Sequence, residues 1–325
     1  MRYRIPVLII MLTMIGTFLI NCTSTSTTEP IGEAPQNEDS LNISFKRGEY
    51  LATKVAICID CHSERDFKYF SGPVIPGTEG MGGEMFDQNI GVPGVIYARN
   101  ITPDKETGIG TWTDDEIFRA ITRGISKNGD TLFPLMPYPS YNKMAKQDIM
   151  DIIAYLKSLK PIEHKVKERN LMVPINMVYP PGLQETADNN VRPPIEDKLK
   201  YGEYLVSSAA CFDCHTPMEK GQFGQPFIGG QTFTLPGFTV KSANLTPDEE
   251  TGLGALTEEM FMQKFIQYRD KKAYLYDPGK LNSIMPWTLY AQLDDYDLQA
   301  IYTFLRTLPP VKNKVEKHPT TIAVR

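Results

Sequence analysis

CIDCH at residues 58–62 and CFDCH at residues 211–215 are two copies of one pentapeptide, and together they contain four of the five cysteines in the chain. In this spacing the two thiols can add across the two vinyl groups of one haem, while the adjoining imidazole lies under the iron as its proximal ligand. The sequence therefore predicts two covalently bound haem c groups, each with one iron. The predicted attachment and proximal residues are Cys58, Cys61, His62, Cys211, Cys214 and His215.

Other short blocks around the pentapeptides also occur twice, in the same order in both halves of the chain. Such self-similarity indicates a repeated structural unit, and the pentapeptide in each copy assigns one haem to each unit. We therefore predict two tandem cytochrome c-like domains. The repeated blocks are GEYL at 48–51 and 202–205, NITPD at 100–104 and NLTPD at 244–248, and Met136-Pro137-Tyr138 and Met285-Pro286-Trp287.

The composition between the copies also predicts how the chain is divided. A Pro-rich stretch without a sustained helical period separates the copies and is typical of an extended connector. The polar stretch before the first copy has too little apolar content to form a core and is typical of a flexible tether. The predicted order is an export signal at 1–22, the tether at 23–44, domain 1 at 45–162, the connector at 163–197, domain 2 at 198–312 and a tail at 313–325.

Both predicted domains are expected to be all-α. In each, a short helix, at about 45–56 and about 199–209, leads into the pentapeptide, and an amphipathic helix closes the domain. The closing helix has apolar residues three and four apart, as a helix that packs one face on a core requires. We expect each domain to be a small helical bundle around one covalent haem. The closing-helix residues are Ile149, Ile152, Ile153, Leu156 and Leu159 in domain 1 and Leu298, Ile301, Tyr302, Leu305 and Leu308 in domain 2.

The sixth iron ligand is the harder assignment, because the chain has 14 methionines and most methionines fill gaps in a core. Alignment of the two halves by their blocks matches methionine with methionine only at Met136 and Met285. Each lies between a pentapeptide and a closing helix, and the proline after each stiffens the loop. The remaining histidines, His164 and His318, have no counterpart in the other half and are predicted to be exposed. We therefore predict His/Met coordination of both irons.

His/Met coordination favours electron transfer over catalysis. A methionine ligand raises the reduction potential relative to two imidazoles, and a filled sixth position leaves no iron site for a substrate. The sequence thus predicts a carrier of single electrons that has no catalytic residues. Asn100 and Asn244, in the repeated loops, either hydrogen-bond a haem propionate or order the loop around it.

The N-terminus predicts export. Arg2 and Arg4 precede an apolar run at 5–20, which is shorter than the roughly 20 residues of a membrane span. The run is followed by Cys22, as in a lipoprotein processing site where the cysteine is lipidated. We expect the chain on the periplasmic side of a bacterial membrane, held there by this lipid or by an uncleaved signal. The formal net charge of −5 argues against nucleic acid as a partner.

The region 48–310 resembles the multihaem cytochrome c subunit of membrane-bound alcohol, aldehyde and gluconate dehydrogenases. The resemblance lies in the GEYL blocks, the pentapeptides, the NITPD block with GIGTW at 108–112, and LMPYPSY at 135–141. It implies all-α cytochrome c domains that pass electrons from a dehydrogenase toward quinone or another membrane carrier. The expected partners are a donor dehydrogenase or quinone-linked complex and an acceptor cytochrome or oxidase. Subunits of that family usually have three haem domains, whereas this chain has two pentapeptides.

Two other classes of protein fit part of the pattern. A dihaem cytochrome c peroxidase also has two haem pentapeptides, but it needs one iron with an open or displaceable position and acid/base groups that cleave the O–O bond. A methionine matched at both irons argues against it. The other class is a zinc-binding module built on the Cys-x-x-Cys pairs, and the histidine directly after each pair argues against that one.

Overall fold

The structure is a computed structural model that describes residues 38–175, 186–219 and 222–319. The predicted export signal with Cys22, and parts of the tether, connector and tail, lie outside these residues. We refer to 38–175 as the first half and to 186–319 as the second half. Across the described ranges, no helix has both the length and the apolar content needed to cross a membrane.

The helices occur in a similar order in both halves. Helices are present at the predicted opening and closing segments, and the first one begins earlier than expected and runs directly into a π-helical turn at Leu51–Val55. Short 3-10 turns lie at Gln88–Ile90, Gln267–Arg269, Lys271–Ala273 and Gly279–Leu281. The helices are α1 (Glu38–Tyr50), α2 (Cys58–Cys61), α3 (Asp114–Arg123), α4 (Tyr138–Tyr141), α5 (Lys146–Ser158), α6 (Lys198–Ser208), α7 (Cys211–His215), α8 (Glu258–Ile266), α9 (Trp287–Tyr290) and α10 (Asp295–Leu305).

The opening and closing helices of each half cross where the GEYL block places a glycine. Gly48 in α1 faces α5, and a Cβ atom there would lie 1.9 Å from the carbonyl oxygen of Asp151. Gly202 in α6 faces α10, and a Cβ atom there would lie 1.9 Å from the carbonyl oxygen of Ala300. Any larger residue would force the two helices apart, so this crossing requires the glycine of the repeated block.

The middle helices begin with the same kind of cap. Thr113 accepts a hydrogen bond from the backbone N–H of Glu116 at 3.2 Å, and the Glu116 carboxylate accepts one from the Thr113 N–H at 2.8 Å. Thr257 accepts from the Met260 N–H at 3.2 Å at the start of α8. These bonds satisfy N–H groups that have no partner inside the first turn of a helix, so the boundaries follow from local sequence.

In the described ranges, three small antiparallel sheets accompany the helices. The fold there is therefore mixed, whereas the sequence predicted an all-α fold. The clearest sheet is a hairpin around Pro236-Gly237, in which Gly237 has φ 93°. Its apolar and polar residues alternate, as in a strand with one buried face. This alternation was the signal for the hairpin, which the sequence analysis did not predict. The strands are β1 (Met85–Phe86), β2 (Gly94–Tyr97) and β3 (Asn170–Leu171) in one sheet, β4 (Met218–Glu219) with β5 (Gln222–Phe223), and β6 (Thr232–Leu235) with β7 (Phe238–Lys241).

One apolar core extends through both halves. Leu51 and Ile149 of the first half and Leu205 and Leu298 of the second are completely buried, and all four belong to a single cluster of packed side chains. Burial of a leucine or isoleucine side chain contributes roughly 1.5–3 kcal/mol. The two halves therefore stabilise each other through shared packing.

The tyrosine of each GEYL block crosses to the closing helix of the other half. Tyr50 donates a hydrogen bond to Asp297 Oδ2 at 2.6 Å. In the reciprocal contact, Tyr204 donates to Asp148 Oδ2 at 2.6 Å. The same position of the repeat thus makes the same contact in both directions. Each hydroxyl also accepts from one backbone N–H, those of Asp294 and Ala145, both at 3.1 Å.

The two carboxylates differ in their other partners. Asp148 also forms ion pairs with Arg47 at 3.2 Å and with Arg192 at 3.0 Å. Burial raises the pKa of Asp297, and the hydroxyls of Tyr50 and Tyr201 act in the opposite direction. Asp297 therefore receives hydrogen bonds from tyrosine hydroxyls and feels the charge of Arg47 without an ion pair to it, whereas Asp148 forms ion pairs with two guanidinium groups.

Tyr50→Phe is expected to lower the free energy of unfolding by about 2 kcal/mol, because a buried carboxyl loses a short hydrogen bond. Tyr204→Phe is expected to cost about 1 kcal/mol, because two arginines still pair with Asp148. Equilibrium unfolding in urea measures both values. The control is Tyr296→Phe, whose hydroxyl donates to an exposed carbonyl and whose loss should cost less than about 0.5 kcal/mol. A larger loss in Tyr204→Phe than in Tyr50→Phe would contradict this ranking.

Candidate cofactor-binding sites

Each pentapeptide forms a short helix that starts after a residue with a left-handed backbone. Ile57, before α2, has φ 43°, and Ala210, before α7, has φ 50°. Residues other than glycine rarely adopt this conformation, so its presence at both pentapeptides indicates a constraint on how they are presented. The cysteines of each pair are three positions apart and so lie on one face of the helix, as attachment to one porphyrin requires. Cys58 and Cys211 are half-buried, and Cys61 and Cys214 are exposed.

The two pentapeptide histidines are held in the same way. His62 Nδ1 lies 2.6 Å from the carbonyl oxygen of Arg99, and His215 Nδ1 lies 2.7 Å from the carbonyl oxygen of Ala243. A carbonyl oxygen only accepts, so Nδ1 carries the proton and Nε2 keeps its lone pair. Burial lowers the pKa of both imidazoles, and the bond to the carbonyl opposes that effect. A neutral imidazole with a fixed ring and a free Nε2 fits the proximal ligand of a haem iron.

A glycine supports the backbone of each histidine. Gly82 N–H donates to the carbonyl of His62 at 2.9 Å, and Gly229 N–H donates to that of His215 at 2.8 Å. A Cβ atom at Gly82 would lie 2.5 Å from the carbonyl carbon of Arg99, and one at Gly229 would lie 2.4 Å from that of Ala243. No side chain fits there, so these glycines bring the histidine loop against the segment whose carbonyl holds the ring.

The asparagine of each repeated loop orders that loop. Asn100 Oδ1 accepts from the N–H and the hydroxyl of Thr102 at 2.9 and 2.7 Å. Its amide nitrogen donates to Thr107 Oγ1 at 3.0 Å and to the carbonyl of Ile162 at 2.8 Å. An asparagine side chain has two acceptor and two donor positions, and all four are used inside the protein. Of the two roles that the sequence leaves open, the structure favours the ordering of the loop over a bond to a propionate.

Asn244 makes the same set of contacts in the second half. It accepts from Thr246 at 2.9 and 2.8 Å and donates to Thr251 at 3.2 Å and to the carbonyl of Val311 at 2.8 Å. Val311 and Ile162 both follow a closing helix. Each asparagine directly follows the residue whose carbonyl accepts from the histidine. It therefore ties that segment to the chain beyond the closing helix.

The two predicted methionine ligands lie in loops of the same conformation. Met136 and Met285 are half-buried against the main core. The prolines that follow have φ −80° and −78°, and the next residue donates its N–H to the methionine carbonyl at 2.7 Å in both loops. The structure therefore gives both methionines the same local backbone, as two equivalent axial ligands require.

A tyrosine links the segment after each methionine to the residues just before the pentapeptide of the same half. Tyr141 donates to the carbonyl of Ala56 at 2.7 Å, and Tyr290 donates to the carbonyl of Ala209 at 2.9 Å. Both hydroxyls are buried. Sequence reasoning assigned these tyrosines no role, although both stand five positions after the matched methionine, which was the available signal.

The two unmatched histidines, His164 and His318, were predicted to be exposed, but the structure has both half-buried. His164 Nδ1 lies 3.0 Å from the carbonyl oxygen of Met81, and the ring packs on Gly83. His164 follows α5 and closes over the loop after the first pentapeptide, a packing that the sequence period does not reveal.

The two pentapeptides lie near each other across the two halves. Although Cys61 as a whole residue is exposed, partial desolvation of its thiol raises the pKa of that group, and nearby Asp60 and, from the second half, Cys214 add to the rise. Ser140 in α4 donates a hydrogen bond to Asp213 Oδ2 in the second pentapeptide at 2.8 Å. The helix after Met136 therefore contacts the pentapeptide of the other half.

Known proteins match most of the chain. It is 32% identical over 281 residues to the gluconate 2-dehydrogenase cytochrome c subunit of Pantoea cypripedii, covering 81% of this chain and 59% of that protein. It is 29% identical over 289 residues to the alcohol dehydrogenase (quinone), cytochrome c subunit of Gluconacetobacter polyoxogenes, covering 85% and 58%. This chain is homologous to dehydrogenase cytochrome c subunits. The predicted resemblance is thereby confirmed.

A third relative is matched over nearly its whole length. The chain is 26% identical over 298 residues to a diheme cytochrome c-type protein of Cereibacter sphaeroides, covering 88% of this chain and 93% of that protein. By contrast, the chain spans about three fifths of the length of the dehydrogenase subunits that it matches. No protein-family model matches the chain. These relatives support a cytochrome fold for the mixed structure of helices and small sheets described above.

Asn100→Asp is expected to lower the free energy of unfolding of this protein by about 2–3 kcal/mol, because a carboxylate oxygen would replace the amide donor that bonds Thr107 and Ile162. Asn244→Asp should cost the same amount, because its contacts are the same. Urea unfolding measures both. Asn189→Asp, at an exposed position, is the matched control. Unchanged stability together with a shifted reduction potential would favour the propionate role instead.

Proposed function

We propose that the protein is a dihaem c-type cytochrome that carries single electrons and performs no chemistry on a substrate. The observation that carries this proposal is the duplicated histidine geometry, in which a backbone carbonyl holds Nδ1 and leaves Nε2 for a metal in both halves. The homology to cytochrome c subunits of dehydrogenases supports the same class.

We propose two covalent haem c groups and a complete ligand set for each iron. Cys58 and Cys61, and Cys211 and Cys214, would attach the two porphyrins. His62 and His215 would be the proximal ligands, and Met136 and Met285 the axial ones. When bound, haem c supplies an iron that alternates between two valences. The protein's part is to fix the imidazole ring through Arg99 or Ala243 and to hold the methionine loop through the proline that follows it.

The proposed domains are 45–162 and 198–312, joined by the connector at 163–197. The support is that each range contains one pentapeptide, one asparagine loop and one closing helix, and that the second contains its whole opening helix while the first begins inside α1. The reciprocal bonds from Tyr50 to Asp297 and from Tyr204 to Asp148 support two equivalent units packed on each other.

We place the protein on the periplasmic side of a bacterial membrane, anchored through a lipid on Cys22 or through its signal. The support is the basic and apolar N-terminal sequence that ends at this cysteine. The proposed electron donor is a membrane dehydrogenase or a quinone-linked complex, and the acceptor is another cytochrome or an oxidase. The relatives' names support a dehydrogenase as the donor.

The wild-type protein is expected to contain two haems per chain, and Cys211→Ala combined with Cys214→Ala is expected to leave one, because a haem without thioether links is lost. Haem is counted as the alkaline pyridine complex, against protein concentration. Cys22→Ser is the matched control, because it changes the fifth cysteine and should keep both haems. A wild-type protein without haem would remove the basis of the proposal.

Met136→Leu and Met285→Leu are each expected to abolish the far-red absorption of the methionine–iron(III) bond at one haem and to lower the potential of that haem. Met150→Leu, at a half-buried core position, is the matched control and should change neither. An optical redox titration measures both quantities. Spectra of both haems that stay the same in Met136→Leu and Met285→Leu would refute the axial assignment, and rapid peroxide turnover by the wild type would instead support the dihaem peroxidase.

A further inference from the structure

A segment of the first half packs against the methionine loop of the second half. Ser71 is completely buried, and its hydroxyl donates to the carbonyl oxygen of Met285 at 2.6 Å. The same hydroxyl accepts the N–H of Trp287 at 3.0 Å. One side chain of the first half therefore binds the backbone on both sides of Pro286, directly at the proposed axial ligand.

Asn282 completes this contact from the second half. It is 1% exposed, and its Oδ1 accepts the N–H of Ser71 at 2.9 Å. Its amide nitrogen donates to the carbonyls of Phe67 and Tyr69 at 2.9 and 3.2 Å. Asn282 of the second half thus binds the backbone of the first half, whereas the Ser71 hydroxyl of the first half binds the backbone of the second. We call this pair the Ser71–Asn282 clasp.

The backbone of the clasp is strained and firmly held. Ser71 has φ 67°, and Gly72 has φ 54°. Residues other than glycine occupy this region only where the surrounding structure enforces it, which often marks a functional position. Arg65 enforces it here, because its guanidinium donates to the carbonyls of Ser71 at 2.7 Å and Gly72 at 2.9 Å.

The same arginine connects the clasp to the first pentapeptide. Arg65 forms an ion pair with Asp60 at 2.9 Å, and both side chains are nearly buried. Asp60 lies between the two cysteines that would attach the first haem. A continuous chain of bonds therefore runs from the first pentapeptide through Arg65 and Ser71 to the backbone of Met285.

The first half has a different residue where the second half has its clasp asparagine. By block alignment Phe133 stands at the position of Asn282, so the sequence of the Met136 loop has no counterpart of the clasp amide. The described backbone bonds of the Met136 loop run from Met136 N–H to the Phe133 carbonyl and from Tyr138 N–H to the Met136 carbonyl, within the first half. The Ser71–Asn282 clasp is thus a feature of the Met285 loop.

We propose that Ser71 and Asn282 are positioning residues for Met285, so that the first half holds the axial ligand of the second iron in place. This inference rests on the proposed function, because it concerns the ligand of a haem. A thioether is a weak ligand, and its bond to iron depends on a loop that keeps the sulfur at a fixed distance. Loss of the clasp frees the Met285 backbone and weakens that bond at the second haem alone.

Ser71→Gly is the test variant, because glycine accepts the positive φ of this position while the hydroxyl is lost. The holoprotein should keep two haems, and the far-red methionine–iron(III) absorption should fall to about half, because only one of two sites is affected. Ser71→Gly added to Met136→Leu should abolish the absorption, and added to Met285→Leu it should change nothing further. Hydrogen exchange at the Trp287 amide should be about tenfold faster, because one of its two acceptors, the Ser71 hydroxyl, is gone while the Met285 carbonyl remains.

Ser208→Ala is the matched control, because it removes a buried serine hydroxyl that bonds only along its own helix, to the Tyr204 carbonyl. It should leave the absorption and the Trp287 exchange unchanged. Asn282→Ala is the second variant and should give the Ser71→Gly spectrum. A protein with two haems whose absorption is unchanged in both variants would overturn the clasp. A wild-type protein without haem would overturn the proposed function itself, so the two failures are distinct.

Discussion

A hydrogen bond from a histidine ring nitrogen to a backbone carbonyl is the constraint on which both candidate sites depend. It selects the tautomer, fixes the ring plane and leaves one nitrogen with a lone pair. The carbonyl can serve this purpose because the asparagine that follows it is bonded to the chain beyond the closing helix. The repeated Asn-x-Thr-Pro-Asp loop is therefore the support of the imidazole, and its strict repetition follows from that task.

The two halves are equivalent in design and unequal in detail. Both place a glycine at the helix crossing, a tyrosine on the carboxylate of the other half, and a tyrosine between the methionine loop and the pentapeptide. The first half contributes a segment with Ser71 to the methionine loop of the second half. The acidic residues of the pentapeptides also have different partners, Arg65 for Asp60 and Ser140 for Asp213. Such differences make the environments of the two sites unequal.

Sequence reasoning found the features that are written in short stretches. Each Cys-x-x-Cys-His copy and each closing-helix period lies within about a dozen residues, and the structure has helices where the periods predict them. The methionine pair was found by comparing the short blocks of the two halves. The haem ligands themselves remain predictions. The small sheets were missed because their strands have two to four residues, too few for a clear period. Tyr141 and Tyr290 were missed because each acts on a carbonyl more than 80 residues away.

The sequence by itself determined the repeat, the spacing of cysteine and histidine in each pentapeptide and the pairing of Met136 with Met285, because each repeated block is short and its two copies can be aligned directly. Only the tertiary structure decided how the halves act on each other. Tyr50 and Asp297 are 247 positions apart, and Ser71 and Met285 are 214 apart. Contacts at such separation form only when shared burial of apolar side chains brings the two halves together, and no local pattern of residues encodes them.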